Sequence, residues 1–205
     1  MSEPHNERLS DILRRVGQEA GSEMSLGDLV VAFGERAFGA LILIFAAPNL
    51  IPLPPGSSSV FAAPLIFITA QLMIGRQRVW LPKRLARVRL GGERLRQLTE
   101  RMIPWVLKAE KLLKPRGTLL TSPLGERLAG GACFFLSVVL FLPIPLANMV
   151  PALALCLFAL GLIEQDGMAM AGGWLATAAT VAILVLVANA LIAAVKVFVY
   201  TVFGM

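Results

Sequence analysis

The sequence predicts an all-α integral membrane protein. It comprises two homologous units of broken hydrophobic helices, a basic surface-lying helical linker and a C-terminal transmembrane helix. Three observations predict this. Of 205 residues, 57% are hydrophobic and 16% charged, with a mean hydropathy of +0.74, against roughly 45–50% apolar and about 25% charged in ordinary globular chains. The charges are missing in blocks: Ala37 to Gly75, Leu128 to Ile163 and Gly167 to Val195 contain none. At about 20 apolar residues per crossing, these blocks read as membrane-embedded, which argues against a water-soluble enzyme. Finally, the first block is repeated in the second.

The expected organisation is 1–33 as N-terminal amphipathic helices, 34–75 as the first broken unit, 76–121 as the linker, 122–163 as the second unit and 164–205 as the last helix. Leu9, Ile12, Leu13 and Val16 recur at helical spacing among charges. Ser25-Leu26-Gly27-Asp28 matches a capping box and predicts a helix through Leu29, Val30 and Phe33. The polar start, without an apolar core, predicts no cleavable signal peptide.

The first block is too long for one crossing. As one helix its 39 residues would extend about 58 Å, against a hydrocarbon core of about 30 Å. The break is written in Pro48-Asn49-Leu50-Ile51-Pro52-Leu53-Pro54-Pro55-Gly56-Ser57-Ser58-Ser59, where four prolines remove donors and stop the helix. Backbone freed in this way is tolerated at membrane depth only inside protein or beside water. Whether the arms form re-entrant helices or full hairpins stays open.

The second block repeats the plan. Gly34-Glu35-Arg36 precedes Ile51-Pro52-Leu53-Pro54 as Gly125-Glu126-Arg127 precedes Leu142-Pro143-Ile144-Pro145, both at an offset of 91. Gly39 and Gly130 keep that offset, and Pro64 corresponds to Pro151 after a short deletion. Matching tripeptides at identical spacing point to duplication. Broken segments in corresponding halves mark a transporter-type binding site.

Between the halves, Arg76 to Arg116 carries 13 of the 19 lysines and arginines and three acids. Flanked by membrane blocks, this stretch fits the positive-inside rule and anionic lipid better than nucleic acid, so a cytoplasmic linker is expected. Leu81, Leu85 and Val88, then Leu95, Leu98 and Met102, form apolar stripes, with Trp80 and Trp105 as interfacial aromatics. The last block, to about Phe203, lacks proline and reads as one helix. Orientation signals conflict there. Cation-free Glu164-Gln165-Asp166 and Lys196 put Ile163 outside, whereas a repeat of the first hairpin returns it to the cytoplasm.

Gly34-Glu35-Arg36 through Ile51-Pro52-Leu53-Pro54-Pro55-Gly56, Gln71-Leu72-Met73-Ile74-Gly75-Arg76, Trp80-Leu81-Pro82, and Pro143-Ile144-Pro145 with Asn148 and Pro151 together resemble the ExoD exopolysaccharide-synthesis family, over roughly Leu9 to Trp174. One departure is Ala147 before Asn148, where that pattern leads one to expect glycine. The resemblance implies a multi-pass protein of the bacterial inner (cytoplasmic) membrane linked to exopolysaccharide production. A looser, fold-level likeness is to DedA-type proteins, which handle polyprenyl-phosphate lipid carriers.

Candidate binding residues follow. Asn49, Pro54, Pro55, Gly56 and Ser57, with Pro143, Pro145 and Asn148, would meet and aim helix N-termini at an anion; the bland alternative is a pair of outer-surface turns. Arg36 and Arg127 would grip a lipid phosphate, with Glu35 and Glu126 each pairing with the other unit's arginine; the alternative is interfacial anchoring. Gln71 and Asn189 are expected in interhelical hydrogen bonds. Cys133 and Cys156 are expected as inert packing. His5 is the only histidine, no cluster suits a metal and no phosphate loop is present, so no cofactor and no enzyme activity are expected, and Glu35 with Glu126 do not by themselves make an acid–base pair. The expected function is a transporter or flippase for a lipid-linked phosphate carrier. The competing reading is a scaffold or regulatory subunit of the polysaccharide machinery. Expected partners are membrane lipids, anionic or polyprenyl-phosphate, and polysaccharide-synthesis proteins, with no nucleic acid; a homo-oligomer is left open.

Overall fold

A computed structural model describes residues 11, 14, 24–50, 57–82, 86–87, 89–90, 96–97, 100, 103–104, 107, 119–142 and 148–203. The expected N-terminal helix over Leu9 to Val16 and Trp105 therefore fall largely or wholly outside the described residues.

The chain enters through β1 (Met24–Ser25), paired antiparallel with β2 (Arg89–Leu90) of the linker. This two-residue ladder ties the N-terminal segment to the basic region. Helix α1 (Leu26–Phe33) starts on the expected capping box: Ser25 Oγ accepts from the Asp28 amide at 3.2 Å and Asp28 Oδ2 accepts from the Ser25 amide at 3.0 Å. It ends where Gly34 takes φ +54°, and a 3-10 turn, Gly34–Arg36, redirects the chain.

Four helices form the bundle. Helix α2 (Ala37–Ala46) is buried at every residue and runs into a second 3-10 turn, Ala47–Leu50. Helix α3 (Ser57–Met73) contains Pro64, and α4 (Pro123–Phe141) is capped by Ser122 Oγ, which accepts from the Gly125 amide. Helix α5 (Met149–Glu164) carries Pro151 in its first turn, where a missing donor costs nothing. The last helix, α6 (Gly167–Phe203), is continuous as expected.

The arms cross over. Helix α3 packs most extensively on α4, and α2 packs on α5, while each unit's own arms (α2 with α3, α4 with α5) touch less. Glycines set both crossed contacts. A Cβ on Gly39 would stand 2.8 Å from the Ala159 carbonyl, and one on Gly130 would stand 2.6 Å from the Met73 nitrogen and 2.7 Å from the Leu72 carbonyl carbon. Both pairs are antiparallel: the turn Ala47–Leu50 still reaches α5, and Ser59 Oγ donates to the Phe141 carbonyl at 2.9 Å. Helix α6 runs antiparallel to α5, with Gly161 against Met170 and Gly173 against Phe158, and most of its residues from Val181 to Val197 are exposed.

The core is Leu41, Ile42, Leu65, Ile68, Leu136, Leu140, Leu155 and Phe158. Buried hydroxyls donate within their own helices: Thr69 to Leu65, Ser137 to Cys133, Thr177 to Gly173 and Thr180 to Ala176. That arrangement satisfies them without a partner helix. Ile163 returns to the same end as the linker, where the charge pattern had weakly set it opposite.

Candidate functional site

The bundle has two chemically different ends. At the charged end gather Arg36, Gly75, Glu126, Arg127, Gln165 and Asp166. Arg127 projects from α4 across the end of α3: a Cβ on Gly75 (φ +81°) would lie 2.8 Å from its Cζ and collide with its Nε. So the Arg127 side chain lies against the backbone just past the end of α3. Glu126 Oε1 accepts from Gln165 Nε2 at 3.1 Å, and Gln165 holds φ 51° at the end of α5. Glu126 therefore bridges to the end of its own unit, where reasoning from sequence gave it Arg36. Glu35 lies in the 3-10 turn beside Arg36; its side chain lies outside the described residues. Asp166 is 2% exposed and accepts from the Met168 amide at 2.7 Å, which caps α6.

Beside this end, Gln71 Oε1 accepts from the Trp80 amide at 2.8 Å while its Nε2 donates to Phe67. Trp80 stacks obliquely near Phe67, with the Arg76 guanidinium 5.8 Å from its ring. Gln71 thus pins the linker's start onto α3 rather than bonding between helices, and Asn189 stands on the exposed half of α6.

The other end carries both breaks. Asn49, Ser57, Phe141 and Asn148 all lie there, because α2 and α4 end where α3 and α5 begin. Ser57 begins α3. Pro54, Pro55, Gly56, Pro143 and Pro145 lie outside the described residues. Two atoms stand out at this end: Oδ1 of Asn49 and Oδ1 of Asn148 are buried without a hydrogen-bond partner, and they are the only such side-chain atoms among the described residues. Asn49 Nδ2 donates to Phe45 at 3.0 Å, so turning the amide over would set two acceptors against each other. Counting along the helices, Arg36 and Asn49 are separated by 13 residues, roughly 20 Å. The expected residues therefore divide into an arginine end and an asparagine end, not one site.

Among the described residues the fold is helical apart from one two-residue ladder, and two helices, Pro123–Phe141 and Gly167–Val197, are long and apolar enough to span a membrane. A family model described as "Exopolysaccharide synthesis, ExoD" matches residues 9–186, and the chain belongs to that family, which is implicated in exopolysaccharide synthesis. Protein ExoD of Rhizobium meliloti (strain 1021) is 34% identical over 178 residues, covering 84% of this chain and 74% of that protein. An uncharacterised protein of Synechocystis sp. is 28% identical over 158 residues, covering 76% and 74%. No solved structure matches.

Proposed function

We propose that the chain is a two-unit carrier of the bacterial inner membrane that moves a lipid-linked phosphate used in exopolysaccharide synthesis. The observation that carries this reading is depth, measured along α6. From Asp166 to Lys196 are 30 residues, about 45 Å of helix, close to the 40–45 Å of a bilayer with its headgroups. The contacts Gly161–Met170 and Phe158–Gly173, continued along both helices, bring Asn148 level with residues 182–183. That is about 24 Å from Asp166, or half-way. This ruler supports reading the breaks as re-entrant, with Asn49 and Asn148 near mid-depth, where carriers built from repeats bind their cargo.

The duplication has matching support. Pro64 and Pro151 differ by 87, and that offset carries Leu72 onto Ala159, the residues met by Gly130 and by Gly39. The two close approaches are thus equivalents. Such reciprocal crossing is what a two-fold arrangement of duplicated units produces.

Arg36 and Arg127 then meet the phosphate at the linker-side surface. In proteoliposomes of purified protein, a fluorescent short-chain polyprenyl phosphate should move between leaflets, Arg127→Ala should abolish that movement, and Arg89→Ala in the linker should not. Movement equal to protein-free vesicles would remove the carrier reading and favour the scaffold.

A further inference from the structure

Every buried polar side chain of the described bundle is satisfied except at two atoms, and the two share one chemistry. Thr69, Ser137, Thr177 and Thr180 bond to their own helices, Gln71 to Phe67 and Trp80, and Asp166 to Met168. The exceptions are the amide oxygens of Asn49 and Asn148. An acceptor stripped of water and left unpaired costs free energy, and here the cost occurs twice at one end of the bundle.

The two asparagines share one level. Gly39 meets Ala159; ten residues on from Gly39 is Asn49, and ten residues back from Ala159 is Met149, the neighbour of Asn148. The turn Ala47–Leu50 packs against α5, so Asn49 is carried on the element that faces the start of the helix Asn148 precedes.

What would satisfy them is narrowed by charge and space. At this end, the starts of α3 and α5 bring positive helix ends and the finishes of α2 and α4 negative ones, so the dipoles offset. The unpaired atoms are oxygens with lone pairs, which repel an anion. Neutral oxygens without a carboxylate suit a monovalent cation better than a divalent one, which draws on carboxylates. Both oxygens are shielded from water, so an ion held there would be at least partly dehydrated.

We infer that Oδ1 of Asn49 and Oδ1 of Asn148 are ligands of one alkali-cation site between the turn Ala47–Leu50 and the start of α5. The inference deepens the carrier reading by naming its coupling ion, and it differs from the anion site expected at these residues from sequence. Amide and backbone oxygens from broken helices are the usual ligands of such ions in repeat-built carriers.

The test is thermal melting of the purified full chain in detergent, titrated with NaCl or KCl against choline chloride at constant ionic strength. One of the two alkali ions should raise the midpoint saturably, by about 5 °C at a hundred times its Kd. Asn49→Leu and Asn148→Leu, which remove the orphaned oxygen at similar volume, should melt at least as high as the parent in choline and lose the response. Asn49→Asp should lower the half-saturating concentration tenfold or more at neutral pH. Equal midpoints in all three salts, as a buried water would give, overturn the site; so does a response surviving both leucine variants, or an unchanged half-saturation in Asn49→Asp. A cation-dependent midpoint without polyprenyl-phosphate movement keeps the site and removes the carrier reading. Movement with no cation dependence does the reverse.

Discussion

Alanine at Gly130 and alanine at Gly131, adjacent on one helix, should have opposite effects. Both substitutions gain helix propensity, up to about 1 kcal/mol. At Gly131 the new Cβ lies 3.8 Å from Met73 Cγ, ordinary contact with a flexible side chain. At Gly130 it lies 2.6 Å from the Met73 nitrogen and 2.7 Å from the Leu72 carbonyl carbon, and backbone inside a helix cannot rotate away. Restoring normal contact requires α3 and α4 to part by nearly 1 Å at the most extensive interface of the molecule, and overpacking of this kind costs about 1–3 kcal/mol. Gly130→Ala should therefore melt below the parent and Gly131→Ala at or above it, the two differing by the overpacking cost of about 1–3 kcal/mol, because the gain in propensity is common to both. Melting of the purified variants in one detergent reads this directly. Equal midpoints would refute the close approach, and with it the crossed packing of the arms.

The counterpart in the other unit is Gly39→Ala, whose Cβ would meet the Ala159 carbonyl at 2.8 Å; it should destabilise as Gly130→Ala does, while Gly172→Ala, with 3.5 Å to Leu157 Cδ1, should be tolerated in the same assay. Gln71→Leu leaves the Trp80 amide without its acceptor at a cost of about 1–3 kcal/mol, and tryptophan fluorescence should shift as the linker's start lifts from α3; an unchanged spectrum would show that Gln71 does not hold it. Hydrogen bonds from the Ser25 hydroxyl and then its amide hold the Asp28 carboxyl below its ordinary value. The cap is therefore complete above the usual aspartate range and is lost as pH falls through the lowered value. Amide exchange in α1 should accelerate there, and Ser25→Ala should remove that pH dependence.

Much of the fold was legible because proline and charge write it directly. The capping box at Ser25, the break after Asn49 and the uninterrupted α6 follow from local chemistry that no tertiary contact overrides. The crossing of the arms was not legible. Helices apolar on nearly all sides, such as α2, give no stripe to say which neighbour they face. Only the two glycines at equal spacing hinted at where backbones touch. The end at which Ile163 lies was left open in the sequence, because the cation-free Glu164-Gln165-Asp166 and a repeat of the first hairpin point opposite ways; in the fold Asp166 caps α6 and Gln165 binds Glu126. At the site, Asn49 and Asn148 were picked out by sequence, but which of their amide atoms stays unpaired depends on Phe45 and burial, neither of which spacing reveals. The separation of Arg36 from Asn49 was readable in principle from 13 helical residues.

Crossed packing also dictates how the chain must be born. Helix α3 is finished at Met73, but its main partner begins at Pro123 and the partner of α2 ends at Glu164. At about 5–20 residues per second, the ribosome needs on the order of 5–20 s to deliver the missing helices. For that interval α2 and α3 stand without the helices they pack against. The speed at which the long basic linker is translated therefore sets how long their apolar faces stay uncovered.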